Sequence, residues 1–102
     1  ISELFSDLED LILEELPEHL CIQALTSVFS ETTRLLNCEL TKCSLKRVDP
    51  SIFKWTKLQH LNLSRNNLHR LPKELFTSLP NLVQLNVSQN NIKKLSKRVL
   101  LL

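Results

Sequence analysis

Leu58-Gln59-His60-Leu61-Asn62-Leu63-Ser64-Arg65-Asn66-Asn67-Leu68-His69-Arg70-Leu71 decides how this chain is built, because its wording returns 24 residues later. Leu82, Leu85, Val87, Asn90, Ile92 and Leu95 fall over Leu58, Leu61, Leu63, Asn66, Leu68 and Leu71, so every apolar position and both asparagines coincide. A shift of 23 towards the N-terminus finds a third copy: Leu35, Cys38, Leu40, Cys43, Leu45 and Val48. Within each copy two apolar residues alternate with polar ones, the period-2 signature of a short strand with one buried face. The predicted strands are Cys38–Leu40, Leu61–Leu63 and Leu85–Val87, stacked in parallel. After each strand the chain turns and leaves amides and carbonyls inside that need partners. Asn66 and Asn90 donate and accept at once, so stacked asparagines satisfy those groups. Cys43 holds the same place with a weaker bonding group, and all three read as scaffold rather than chemistry.

The pattern L-x-x-L-x-L-x-x-N/C-x-L at this period resembles the leucine-rich-repeat family over residues 35–95. The resemblance implies an α/β solenoid, here a horseshoe fragment with short parallel strands on its concave face. The returning segments agree. Val48-Asp49-Pro50-x-x-Phe53 and Leu71-Pro72-x-x-x-Phe76 each place turn chemistry after an apolar residue and then bury a phenylalanine on the convex side. Trp55, Leu75 and Leu79 are expected in the same layer, with Trp55 as core rather than a binding anchor.

Outward from the repeats, residues 1–34 read as a mainly helical N-terminal cap or the end of a preceding domain. Leu8-x-x-Leu11-x-Leu13 fits the first half of a repeat, but Leu16 stands where Asn or Cys belongs. Ile1, Leu4, Phe5, Leu8, Leu11, Ile12 and Leu16 also line one side of a helix, with acids mostly opposite. Pro17 is placed to open a second helix carrying Leu20, Cys21, Leu25, Val28 and Phe29. Residues 35–102 hold about three repeats and stop inside one, after Lys93, Lys94, Lys97, Arg98 and the run Val99–Leu102. With Ile1 first and no leader pattern, the chain is expected to be a piece of a longer protein.

Composition narrows the function. The 102 residues make one domain at most. Gly 0 excludes a P-loop, a dinucleotide-binding turn and a nucleophile elbow, each of which needs backbone without Cβ. Three cysteines, an odd number without a C-x-x-C pair, argue against a disulfide framework and a zinc site, and for a reducing compartment, cytoplasmic or nuclear. No cofactor is expected. Residues 1–31 carry eight acids and no Lys or Arg, while the remainder holds all 13 basic residues against three acids. Such asymmetry suits two surfaces with different partners, or two faces that neutralise each other.

The candidate partner-binding residues are those flanking the strand leucines: Glu39, Lys42, Gln59, His60, Asn62, Arg65, Gln84, Asn86 and Gln89. Asn37, Thr41, Ser64 and Ser88 accompany them on a face expected to be polar and mildly basic. His60 is the lone histidine there and Ser64 lacks a matching Asp/His pair, so no enzyme is expected. The basic residues read as scattered over turns and the convex side, without interleaved aromatics, which disfavours nucleic acid. No stretch is apolar enough to insert in a membrane.

The expected function is therefore a non-enzymatic protein-interaction module, the recognition arm of a larger intracellular protein or complex. Cys38-x-Leu40-x-x-Cys43-x-Leu45-Lys46-Arg47-Val48-Asp49 with Leu58–Ser64 resembles the start of the repeats in leucine-rich-repeat substrate receptors of cullin–elongin ubiquitin ligases. Leu20-Cys21 with Leu25 is similar to part of their elongin-binding box, with Pro17 where a leucine belongs. The alternative is an extracellular Toll-like receptor ectodomain fragment, glycosylated at Asn62-Leu63-Ser64 or Asn86-Val87-Ser88.

Overall fold

The computed structural model describes residues 2–95 and 97. Four strands, β1 (Asp10–Glu14), β2 (Asn37–Thr41), β3 (His60–Asn62) and β4 (Gln84–Asn86), form one parallel sheet in chain order. Leu11, Cys38, Leu61 and Leu85 lie side by side in register, followed two residues on by Leu13, Leu40, Leu63 and Val87. These side chains face the interior, where they meet Leu35, Leu45, Leu58, Leu68 and Leu82.

The segments returning from one strand to the next are short helices. From β1 the chain runs through α1 (Glu18–Gln23), which continues as a π-helical turn over Ala24–Val28. Pro17 sits at the α1 N-cap, and Cys21 and Leu25 are the residues these turns bury. A 3-10 helix (Pro50–Lys54) follows β2, opened by Pro50 and by Asp49, whose carboxylate accepts the Ser51 amide at 3.0 Å and the Ser51 hydroxyl. After β3 comes α2 (Glu74–Ser78). Trp55, Leu75 and Leu79 are buried as expected. Phe53 and Phe76 are only half-buried, because the preceding residues, Ile52 and Leu75, take the inward position.

The asparagine ladder forms. Asn66 Oδ1 accepts the amides of Cys43 (2.9 Å) and Leu45 (3.1 Å), while Nδ2 donates to the carbonyls of Leu40, Leu63 and Ser64. One repeat on, Asn90 accepts from the Leu68 amide and donates to Leu63, Val87 and Ser88. Cys43 fills the preceding rung with its thiol, donating to Leu13 at 3.6 Å and Thr41 at 3.3 Å. Its contacts are the same in kind, carbonyls of its own turn and of the previous repeat, but longer.

The N-terminal reading changes. Ile1 lies outside the described residues, and Leu4–Leu16 is not one helix: Ser2–Phe5 is a 3-10 turn and Asp10–Glu14 is a strand paired to β2 over all five residues. Pairing with β2 satisfies one edge of this segment's backbone and buries Leu11, whereas Ile12, which a helix would have buried, is 64% exposed. Glu15, Lys42, Arg65 and Gln89, with φ of 59°, 54°, 58° and 55°, hold the left-handed position after successive strands. A glycine normally sits where φ is positive. Here the same turn recurs four times without one, so the segment around β1 obeys the geometry of the repeats that follow. The expected run Val99–Leu102 lies outside the described residues.

Candidate functional site

Opposite the core, the sheet presents an open face built from the residues that alternate with the buried leucines. One row across it is Asp10, Asn37, His60 and Gln84; the next is Ile12, Glu39, Asn62 and Asn86. The first row is bonded side chain to side chain. Asn37 Nδ2 donates to Asp10 Oδ1 at 2.5 Å, and Asn37 Oδ1 lies 2.6 Å from His60 Nδ1. With its amide nitrogen committed to the carboxylate, Asn37 offers only an acceptor to His60, which assigns the proton to Nδ1.

In the second row the amides brace the turns that follow. Asn62 Oδ1 accepts the Ser64 amide at 3.0 Å, and Asn86 Oδ1 accepts the Ser88 amide and hydroxyl at 3.0 and 2.7 Å. Asn62 and Asn86 thus act as Asx turns, and their Nδ2 groups have no partner among the described residues.

A depression of about 800 Å³ opens over these rows, lined by Asn37, Glu39, His60, Asn62, Val83, Gln84 and Asn86 among others. A second of about 300 Å³ adjoins it, lined by Glu14, Glu39, Asn62, Arg65, Asn86 and Gln89 among others. The structure therefore brings together seven of the nine candidate residues: Glu39, His60, Asn62, Arg65, Gln84, Asn86 and Gln89. Gln59 is exposed but lines neither depression, and Lys42 is turned to Glu15 (3.1 Å) and Glu14 (3.9 Å) at the sheet edge. Thr41 and Ser64 are largely buried and form part of the floor of the smaller depression.

Two residues absent from the sequence reading belong to this face: Ile12, and Val83 at 62% exposure, the large apolar side chains it leaves open. The signal for Val83 was its place next to Gln84, where the preceding copies carry Leu36 and Gln59. Ile12 was hidden by the helical reading. Charge is revised as well. The four strands carry Asp10, Glu14 and Glu39 and no Lys or Arg, so the face is acidic at its N-terminal side. Lys42 and Arg65 stand after the strands, at the rim.

The three thiols are free and buried. Burial, with Cys43 alongside, pushes the Cys21 thiol up to about 12, and burial raises Cys38 in the same direction. Both stay protonated at neutral pH, which suits core packing and not nucleophilic attack. Among the described residues no group of three or more His, Cys, Asp or Glu is placed to hold a metal ion. No helix among them is long and apolar enough to cross a membrane.

A parallel sheet of 23- to 27-residue coils joined by asparagine rungs and short returning helices defines a class of repeat protein. The family model described as leucine-rich repeat matches residues 33–92, and the chain belongs to that family. Its members are generally non-enzymatic protein-interaction modules. No curated protein matches the chain.

Proposed function

We propose that this chain recognises a protein partner on the open, concave side of its sheet. The observation that carries the reading is the pair of exposed apolar side chains, Ile12 and Val83, on a face that also presents the amides of Asn37, Asn62 and Gln84, the Glu39 carboxylate and the His60 imidazole. Apolar anchors ringed by polar groups supply both affinity and orientation at an interface. The acidic side of the face favours a partner segment that brings a cation to Asp10 or Glu39. Three buried, unpaired thiols support a reducing compartment, cytoplasmic or nuclear, for the parent protein.

The test is affinity capture from cell lysate with the wild type, an Ile12→Asp/Val83→Asp variant and a Lys54→Glu variant on the opposite side. Loss of one discrete protein with the first variant and its retention with the second supports the reading. Equal capture by all three defeats it. Elongin and cullin in the captured set extend the reading to a ubiquitin-ligase receptor. In α1, however, Cys21 is turned into the core and Leu20 alone is open. Glycan mass on Asn62 or Asn86 instead moves the chain to the Toll-like class.

A further inference from the structure

Away from the open face, a second surface emerges from the stacking. The Asn67 amide donates to the Leu45 carbonyl at 2.8 Å, and the Asn91 amide to the Leu68 carbonyl at 2.9 Å. The Leu45 and Leu68 amides in turn reach Asn66 and Asn90. These bonds hold Leu45, Leu68 and Ile92 in one column, and the two residues after each are therefore in register too. They are Lys46-Arg47, His69-Arg70 and Lys93-Lys94, all exposed. Cations that look dispersed because 23 or 24 residues separate them thus form a double stripe along one flank.

No side chain of this stripe is in an ion pair: the ion pairs of the described residues involve Arg34 and Lys42 only. Glu18, which accepts the Lys46 backbone amide at 3.0 Å, and Asp49, which caps the 3-10 helix, keep their charge and border the first coil of the stripe. Five Lys and Arg side chains are left without a counter-ion, while the sheet face carries the acids.

We propose that this stripe binds duplex nucleic acid through its phosphate backbone. Trp55 is buried and Phe53 and Phe76 are half-buried, so no fully exposed aromatic ring offers a stacking platform for unpaired bases. Among the described residues that directly precede or follow these cations in the chain, Leu95 alone is a large exposed apolar side chain, too little for the anchor cluster of a protein interface. What remains is charge alone. A ligand held by charge alone needs density, and a duplex carries one phosphate charge per roughly 1.7 Å of axis. Contacts to phosphate carry no sequence information, so recognition through the backbone is independent of base sequence.

The experiment is fluorescence anisotropy of a labelled duplex of about 20 base pairs with the full chain, titrated between about 50 and 200 mM salt. Five phosphate contacts predict a log–log salt slope of about −4.5, a loss of about 500-fold over that range. Arg47→Gln/Arg70→Gln makes the slope shallower by about 2 and weakens binding at low salt at least about 10-fold. Lys93→Gln/Lys94→Gln, from another repeat, does the same, and Gln84→Ala on the open face changes nothing. Melting curves confirm that each variant is folded. Absence of binding at about 50 mM salt, or a slope that neither pair alters, overturns the proposal. So does capture by a sulfated polysaccharide or polyglutamate when the duplex is not bound.

Discussion

The third and fourth coils of this molecule are written almost identically and are not equally held. Leu61, Leu63 and Leu68 are buried to 2% exposure or less, whereas their counterparts Leu85, Val87 and Ile92 are half-buried. Asn66 makes five hydrogen bonds, including two accepted amides; Asn90 accepts one amide and donates three times. The difference lies in the neighbours. β3 is flanked by β2 and β4, while β4 is the last strand of the described sheet. In a stacked repeat the motif assigns each residue a place, and the adjoining coil supplies the burial that makes the place stabilising.

Truncation of matched residues tests this most strongly. Leu63→Ala leaves a cavity in a fully enclosed site and is expected to cost about 2–5 kcal/mol in urea unfolding. Val87→Ala, at the same position one coil on, is expected to cost about 1 kcal/mol, since it removes fewer carbon atoms from a side chain already partly in water. Equal losses would break the comparison. Next come the rungs. Asn66→Ala strands the Cys43 and Leu45 amides in the interior and is expected to cost about 1–3 kcal/mol, against about 1 kcal/mol for Asn90→Ala. A melting curve for Asn66→Ala that overlays the wild type would remove the ladder from the account.

The second, third and fourth coils were legible because apolar residues at period 2 and asparagine or cysteine at a fixed offset have few other uses. β1 was not. Leu8 and Leu11 satisfy a strand with Leu13 and a helix with Ile12 equally, and the acids around them suit an exposed face of either. Pairing with β2 decides the matter, and no local pattern announces a partner 27 residues away. Charge was misread for a related reason. Admitting β1 brings Asp10 and Glu14 to the open face, while stacking gathers Lys46-Arg47, His69-Arg70 and Lys93-Lys94 on the flank. Seven of the nine candidate residues lie on the open face because they flank strand leucines, and Ile12 and Val83, which share that face, are apolar residues that the expectation of a polar face passed over.

Alkaline pH separates the two ends of the stack in another way. Cys21, Cys38 and Cys43 all lie in the first two coils, and the later coils have no thiol. The folded Cys21 thiol is raised by burial from 9.0 to about 12, so the folded protein keeps a proton that the unfolded chain releases. The stabilisation is complete below pH 9, and it is lost as pH climbs from there towards 12. Between pH 9 and pH 10 the loss is about 1 kcal/mol from Cys21 alone. Unfolding followed at both pH values should show it, and Cys21→Ala should reduce the loss by about that amount while the part due to buried Cys38 remains. A wild type equally stable at the two would mean that Cys21 meets solvent in the native state.

The smallest effect concerns backbone rather than neighbours. Arg65 and Gln89 hold φ of 58° and 55°, a region that costs a residue with a Cβ about 1–2 kcal/mol. Arg65→Gly removes that strain, while the more flexible unfolded chain gives back about 0.4–1 kcal/mol, leaving a net gain of about 0.5 kcal/mol. Because φ belongs to the residue and not to its packing, Gln89→Gly should gain the same amount, although its coil is the less buried one. Matched gains in chemical denaturation would show that the left-handed turn is equally well formed in both coils, so that only burial distinguishes them. A gain for Arg65→Gly without one for Gln89→Gly would show instead that the fourth turn needs a stacked neighbour to form, extending the dependence on neighbours from side chains to the backbone.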